Sequence, residues 1–246
     1  ALPIFNTNLT TPDAISNHKI LKKLSNQGCE RVIYEASSIG LEQKRLYPMK
    51  FDVIAFTNLS KDHLDYHKNM NNYKNSKALL FKIYSKKSSI AVINTDSKYA
   101  SYFLEICNNN NLKVLDFGEK ANFVRISQIK QINKKFEINI ILKKKNTKII
   151  ADCLSKFEIY NRICSIIMAY NSNLKIKHLN LINQLKNPSG RLEKIYERNR
   201  KKVFVDYAHT PHALSEVLSS LRTLSKGKLR SEEHTSELQS PMYLVC

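Results

Sequence analysis

The run Phe56-Thr57-Asn58-Leu59-Ser60-Lys61-Asp62-His63-Leu64-Asp65-Tyr66-His67 gathers two acids and two histidines within six residues. It follows an apolar, β-branched stretch, Phe51 to Phe56, that reads as a strand. A strand that delivers its carboxyl end into a polar cluster is the layout of a ligand site in an open α/β sheet. If residues 61–67 are helical, His63 and His67, four apart, share a face, as do Asp62 and Asp65, three apart. Such a cluster can hold a divalent cation; the other reading is a capped helix start with solvated charges. Residues 70–84 then carry a helical stripe of Met70, Tyr73, Lys77, Leu80, Phe81 and Tyr84. Lys77 sits in its middle, whereas Lys82 and Lys86 point elsewhere. Desolvation disfavours an ammonium, so a lysine on a buried face has a lowered pKa. Its neutral amine is a nucleophile that can take up carbon dioxide as a carbamate. The alternative is a lysine whose stem lies over the core with its head in water.

The elements that must position these groups alternate along the chain. Residues 14–27 read as a helix and Arg31 to Tyr34 as a short buried strand ending in Glu35. Residues 52–57 read as a strand and 70–85 as a helix. Ser89 to Ile93 and Leu112 to Phe117 read as further strands, separated by a helix near 97–108. That alternation predicts an α/β fold with a mostly parallel sheet. Phe136-Glu137-Ile138-Asn139-Ile140 alternates apolar and polar, which predicts an antiparallel extension over 123–151. Residues 157–170 read as a helix. Pro188-Ser189-Gly190 punctuates the chain as a domain junction. Beyond it, Val203 to Val205 reads as a strand leading into Asp206, with Thr210 and Pro211 at the N-cap and first position of a helix to about Leu224. Ser231 to Cys246 continues no pattern and resembles translated read-through of a sequencing adapter. It is expected to be disordered or arbitrarily placed, and His234 and Cys246 carry no functional weight.

The 246 residues suffice for one large domain or two ordinary ones, and 42% of them are hydrophobic, enough for a sizeable core. Five cysteines without a CxxC pairing read as reduced thiols in a cytosolic protein. No apolar run approaches the roughly 20 residues of a membrane span. The net charge of +19, from 40 Lys and Arg against 21 Asp and Glu, invites a nucleic-acid partner. The lysines are scattered, however, and rise together with asparagine and isoleucine, which is a compositional drift and not a binding face. A general preference for anions remains.

Six stretches in order carry a resemblance. They are Leu9-Thr10-Thr11-Pro12-Asp13, Glu35 to Arg45 (EASSIGLEQKR), Phe56 to His67, Tyr73 to Phe81, Gly190-Arg191-Leu192-Glu193 and Asp206-Tyr207-Ala208-His209-Thr210-Pro211. Together they resemble the Mur ligases of peptidoglycan synthesis, and within that family the branch that adds the third amino acid to UDP-N-acetylmuramoyl-L-alanyl-D-glutamate. The resemblance implies a central domain over residues 1–189 and the start of a Rossmann-like C-terminal domain over 190–230, with the tail 231–246 outside both. It implies that Lys77 is carbamylated and that Glu35, His63 and Lys77 bind magnesium. It implies that Thr10, Thr11, Ser37, Gln43 and Arg45 hold the UDP-muramoyl dipeptide. Asn161, Arg191, Asp206 and His209 then lie around ATP, Asp206 toward the ribose and Arg191 and His209 toward phosphate. The implied reaction is ATP-dependent amide-bond formation through an acyl phosphate, with a diamino acid as third substrate, by default meso-diaminopimelate over L-lysine. A cytoplasmic monomer without nucleic-acid or membrane partners is expected.

The chain also departs from the family. The glycine-rich phosphate loop, of the G-x-x-G-K-[ST] kind, lies upstream of residue 1 in the family, and the five glycines here form no such loop. The motif that selects the third amino acid lies further downstream. The chain therefore reads as an internal fragment, expected to have no ligase activity alone. Ile39 stands where histidine is usual, Ser76 where alanine precedes the special lysine, and Ser155 and Glu158 where Gly and Asn are frequent. Two other readings stay open at this level. One is a metal-dependent hydrolase built on Asp62, His63, Asp65 and His67; the other is a basic nucleic-acid-binding module.

Overall fold

The computed structural model describes residues 9–133, 135–199, 201–225, 227–232 and 242–245. The elements run α1 (Ala14–Asn26), α2 (Ser38–Glu42), β1 (Phe51–Phe56), α3 (Leu64–His67), α4 (Met70–Lys82), β2 (Ser85–Asn94), α5 (Ala100–Asn109), β3 (Lys113–Gly118), β4 (Val124–Ile132), β5 (Lys135–Leu142), β6 (Lys145–Ala151), α6 (Lys156–Tyr170), α7 (Ile176–Leu179), β7 (Glu193–Arg198), β8 (Lys201–Asp206), α8 (Pro211–Leu224), β9 (Arg230–Glu232) and β10 (Met242–Val245). Strands β1 to β6 follow chain order in one sheet, and β7-β8-β10-β9 form a second. The chain divides into two compact units. One comprises the described residues to Leu59, His63–Ile93 and Tyr99–Val114; the other comprises Ser60–Asp62, Asn94–Lys98 and the described residues from Leu115. The sequence-based junction at Pro188 to Gly190 lies inside the second unit.

In the first unit β1 pairs parallel with β2, with an irregularity between Phe51 and Val53. Fully buried Ser89 covers it, its Oγ donating to Phe51 O at 2.5 Å. Helices α4 and α5 pack against these strands through Phe56, Tyr73, Phe81, Ile93, Phe103 and Cys107, among other core residues. Phe56 and Phe103 stack at 3.8 Å between ring centroids. Each such side chain contributes about 1.5–3 kcal/mol by leaving water, so the strand end that presents Thr57 to His67 rests on a dense apolar block. Local sequence sets the helix starts: Asp13 caps α1 by accepting from Ser16 N at 2.9 Å, and Asn69 caps α4 by accepting from Asn72 N at 2.9 Å.

In the second unit β3 pairs parallel with β4, and β4-β5-β6 form an antiparallel meander. The turn from β5 to β6 places Lys143 and Lys144 at φ of 51° and 65°, the left-handed pair that two-residue hairpins require. Ser155 caps α6, and Thr210 caps α8 with Pro211 in its first turn. A separate core of Leu192, Phe204, Ala208, Val217 and Leu221 joins β8 to α8. The described pairings of β8 are antiparallel, with β7 and with β10.

Three sequence-based expectations need correction. Arg31 to Tyr34 is not a buried strand: residues 29–37 are irregular, and Ile33 is 88% exposed. A strand requires a neighbouring ladder, and among the described residues β1 pairs only with β2; Tyr34 merely packs edge-on against Phe51 at 5.9 Å. Residues 61–67 are not one helix, because His63 takes a left-handed φ of 51° and α3 begins only at Leu64. The tail is not wholly without structure. Met242 to Val245 pairs with Val203 to Asp206, and Arg230 to Glu232 lines its other side. An open strand edge offers backbone donors and acceptors to any β-prone run, whatever its origin. His234 and Cys246 lie outside the described residues.

Two consequences are measurable. Gly118 has φ of 138°, and an added Cβ would fall 2.5 Å from Thr95 Oγ1 and 2.8 Å from the Asp96 carboxyl. That carboxylate accepts from Glu119 N at 2.9 Å and from Tyr160 Oη at 2.6 Å. Gly118→Ala is therefore expected to destabilise by about 1–3 kcal/mol in chemical denaturation; an unchanged midpoint would refute the close packing. Burial pushes the thiols of Cys107, Cys153 and Cys164 up to about 12. At pH 8 a thiol reagent should modify Cys29 in the native chain and reach these three only on unfolding, as read by peptide mapping.

Candidate functional site

Five of the residues singled out by sequence converge in the first unit. Thr11 is buried; its hydroxyl donates to Glu35 O and accepts from Ser37 N, both at 2.9 Å. Ser37 in turn caps α2, its Oγ accepting from Gly40 N at 3.1 Å. Gly40 packs so closely that an added Cβ would lie 2.8 Å from Thr11 Cβ and 2.9 Å from Ser37 Oγ. The chain leaving α2 folds Arg45 back over this corner. Its Nε and Nη2 donate to Gln43 Oε1 at 2.9 and 2.6 Å, and its Nη1 donates to Thr11 O at 3.1 Å. Gln43 donates through Nε2 to Tyr66 Oη at 3.2 Å. Three of the five guanidinium N–H groups are thereby used, leaving one on each Nη for an anionic ligand. Thr10 is exposed beside this group.

Lys77 and His63 meet at one ring in the same unit. Lys77 Nζ lies 5.2 Å from the centroid of Tyr73, and His63 approaches that ring edge-on at 5.9 Å. Lys77 is half-buried and His63 exposed. Glu35 is also exposed, and its backbone carbonyl accepts from Thr11 Oγ1.

His67 is the residue whose role sequence reasoning missed. It is 3% exposed and stacks on Tyr73 at 5.0 Å. Its Nε2 lies 2.9 Å from Ser38 Oγ and its Nδ1 3.2 Å from Glu42 Oε2. Ser76 Oγ donates to the same carboxylate oxygen at 2.7 Å. Burial holds the imidazole pKa below its ordinary value, opposed by the Glu42 carboxylate and reinforced by the positive charges of His63 and Lys77. The visible signal was Ser76, a polar residue on the apolar stripe of α4. The hydrolase constellation is not assembled: His67 is turned into this buried network, and among the described residues no three His, Cys, Asp or Glu side chains form a metal-holding group.

The second unit brings together Arg191, Asp206 and His209. Asp206, 5% exposed at the end of β8, accepts from Leu192 N through Oδ2 and from Ala208 N through Oδ1, each at 2.7 Å. The Arg191 guanidinium lies 4.9 Å from the Tyr207 ring, a cation–π contact that holds it beside the turn. His209 Nδ1 donates to Tyr207 O at 2.9 Å, leaving Nε2 3.6 Å from Asp62 Oδ2. Asn161 is an exposed residue of α6, its carbonyl accepting from Ser165 Oγ. Glu158 has a structural use. It accepts from Leu154 N at 2.7 Å and pairs with Arg162 at 2.5 Å, closing the start of α6.

Residues 2–169 match the Mur ligase middle domain. The chain is 35% identical over 228 residues to the UDP-N-acetylmuramoyl-L-alanyl-D-glutamate--2,6-diaminopimelate ligase of Aquifex aeolicus, covering 93% of this chain and 46% of that protein. It is 33% identical over 231 residues to UDP-N-acetylmuramyl-tripeptide synthetase 2 of Oceanobacillus iheyensis, again covering 46% of the relative. A solved UDP-N-acetylmuramoyl-L-alanyl-D-glutamate--2,6-diaminopimelate ligase superposes with a TM-score of 0.70 at 30% identity, over 85% of this chain and 43% of that one. The L. casei FPGS structure shares the fold alone, with a TM-score of 0.60 at 14% identity. The chain thus spans about half the length of the curated relatives it matches. The middle-domain match covers most of the chain, and the corner built on Thr11, Ser37, Gln43 and Arg45 occupies positions that the sequence motifs had marked; the chain belongs to the Mur ligase family.

Proposed function

We propose that this chain forms part of an ATP-dependent ligase that joins a diamino acid to UDP-N-acetylmuramoyl-L-alanyl-D-glutamate. The observation that carries the reading is the corner in which Thr11 and Gln43 hold the Arg45 guanidinium with two N–H groups left over. A fork of that kind suits a carboxylate or phosphate, and the substrate named for the relatives carries both. Thr10 and Ser37 complete this side with hydroxyl and backbone groups.

In this reading Arg191 and His209 contact phosphate, Asp206 uses its remaining lone pairs for ribose hydroxyls, and Asn161 lies near the same nucleotide. A carboxylate has about four acceptor sites, so the two backbone bonds on Asp206 leave room for that role. The dipeptide carboxylate oxygen attacks the γ-phosphorus and ADP leaves, giving an acyl phosphate. The incoming amine attacks the acyl carbon, inorganic phosphate departs, and the amine proton passes to solvent. The contribution of this chain is positioning and charge: Arg45 orients the muramoyl substrate, Arg191 places positive charge where phosphate charge builds, and His209 contacts phosphate beside it.

Glu35, His63 and carbamylated Lys77 would hold magnesium, which supplies charge neutralisation at the phosphates. Their chemistry fits: His63 and Lys77 border one ring, and a carbamate with a carboxylate gives the oxygen-rich donor set that magnesium takes. The reading includes a cytoplasmic monomer, with meso-diaminopimelate as the added amino acid. No described helix is long and apolar enough to cross a membrane.

Two substitutions test this in the full-length ligase that carries the segment. Lys77→Ala should lower kcat by at least about a hundredfold, with partial recovery on adding a short-chain carboxylic acid that replaces the carbamate; full activity in the variant would sink the role of Lys77. Gly40→Ala should drive Thr11 from its place and raise KM for the UDP-muramoyl dipeptide by about tenfold, leaving KM for ATP within about twofold. A shift confined to the ATP constant would contradict the assignment of this corner.

A further inference from the structure

The buried network around His67 joins two elements that carry different parts of the proposed site. On one side are Ser38 and Glu42 of α2, the helix capped by Ser37 and followed directly by Gln43 and Arg45. On the other are Ser76 and Tyr73 of α4, the helix that bears Lys77 one position after Ser76. The backbone of His67 is fixed as well: its carbonyl accepts from Asn69 N at 2.8 Å and from Asn72 Nδ2 at 3.0 Å. We propose that His67 is a positioning residue that ties α2 to α4 and so sets Lys77 relative to the Ser37–Arg45 segment. The inference rests on the reading in which both serve one ligase.

The hydrogen-bond pattern defines how the tie works. Ionised Glu42 only accepts, so His67 Nδ1 carries the proton that faces it, and Nε2 is left to accept from Ser38 Oγ. The neutral ring in this one tautomer satisfies both helices at once, while its face lies on Tyr73. Tyr73 in turn carries Lys77 and His63 on its other contacts. The acid–imidazole–hydroxyl order is that of a hydrolytic triad, but Ser38 and His67 are 2% and 3% exposed, so no substrate reaches the hydroxyl. The network acts on neighbouring residues and not on a reacting bond. A misplacement of about 1 Å between reacting groups can cost a hundredfold in rate, which is the scale on which such a tie matters.

The test uses the full-length ligase with His67→Ala, Glu42→Ala, Glu42→Gln and Lys77→Ala. Each is first checked for cooperative thermal unfolding, then assayed for kcat and both KM values. The enzyme is also charged with ¹³C-bicarbonate to read the Lys77 carbamate resonance by NMR. Folded His67→Ala should lose at least tenfold in kcat with KM for ATP within about twofold, and its carbamate resonance should weaken or shift. Glu42→Gln keeps an acceptor for Nδ1–H and should retain near-parental kcat, whereas Glu42→Ala should resemble His67→Ala. A folded His67→Ala with kcat within threefold of the parent overturns the proposal. If His67→Ala does not fold, equal kcat for Glu42→Ala and Glu42→Gln overturns it instead. An active Lys77→Ala beside a slow His67→Ala removes the role of Lys77 and leaves the helix tie standing; the reverse removes the tie and leaves the ligase reading intact.

Discussion

One buried hydroxyl organises the first unit. Thr11 has no access to water, so each of its polar contacts must be made within the chain or left as a penalty of about 1–3 kcal/mol. It donates to Glu35 O and accepts from Ser37 N, which fixes the irregular segment before α2 without any strand ladder. The cap on α2 follows from that placement, since Ser37 can accept from Gly40 N only when its backbone is held out of the helix. Gly40 then has to be glycine because Thr11 already occupies the space of its Cβ. Arg45 closes the arrangement by donating to Thr11 O. The fork proposed to grip substrate thus depends on Thr11 for its place.

The second unit repeats this logic with a charge in place of a hydroxyl. Asp206 is buried and takes one backbone N–H on each oxygen, so both of its acceptor atoms are satisfied in an apolar setting. It fastens Leu192, beside Arg191, to Ala208, beside His209. Arg191 and His209 then both border Tyr207. Glu158 obeys the same constraint at α6: a carboxylate in a buried position is tolerable because Arg162 and Leu154 N satisfy it.

What could be read from the letters, and what could not, follows from the range of the forces involved. Strands β1, β2 and β3, helices α4 and α6, and the antiparallel meander were legible because their apolar periodicity is local. The start of α8 was legible to the residue, since Thr210 and Pro211 encode a cap in adjacent positions. Arg31 to Tyr34 misled because its composition fits a buried strand while no strand among the described residues pairs with it. The hairpin strand β7 was missed because Glu193 to Arg198 is nearly all polar and exposed; its pairing with β8 is a backbone matter. His63 and His67 looked equivalent at a spacing of four, and the left-handed backbone at His63 separated them into an exposed ring and a buried one. The family motifs marked Lys77, Arg45 and Asp206, but not the groups that hold them. Those partners, the Thr11 carbonyl and the Leu192 amide among them, are defined only once distant segments meet.

The short strand β10 carries a consequence for how such chains behave in solution. It lies along β8 through backbone bonds, with β9 on its far side. Those bonds recognise extended backbone and a β-prone composition, with little regard for sequence history. An arbitrary tail can therefore act as a shield, hiding a row of amide and carbonyl groups that would otherwise invite a neighbouring molecule to add itself. Trimming such a tail in the name of tidiness exchanges an odd-looking terminus for a surface prone to aggregation.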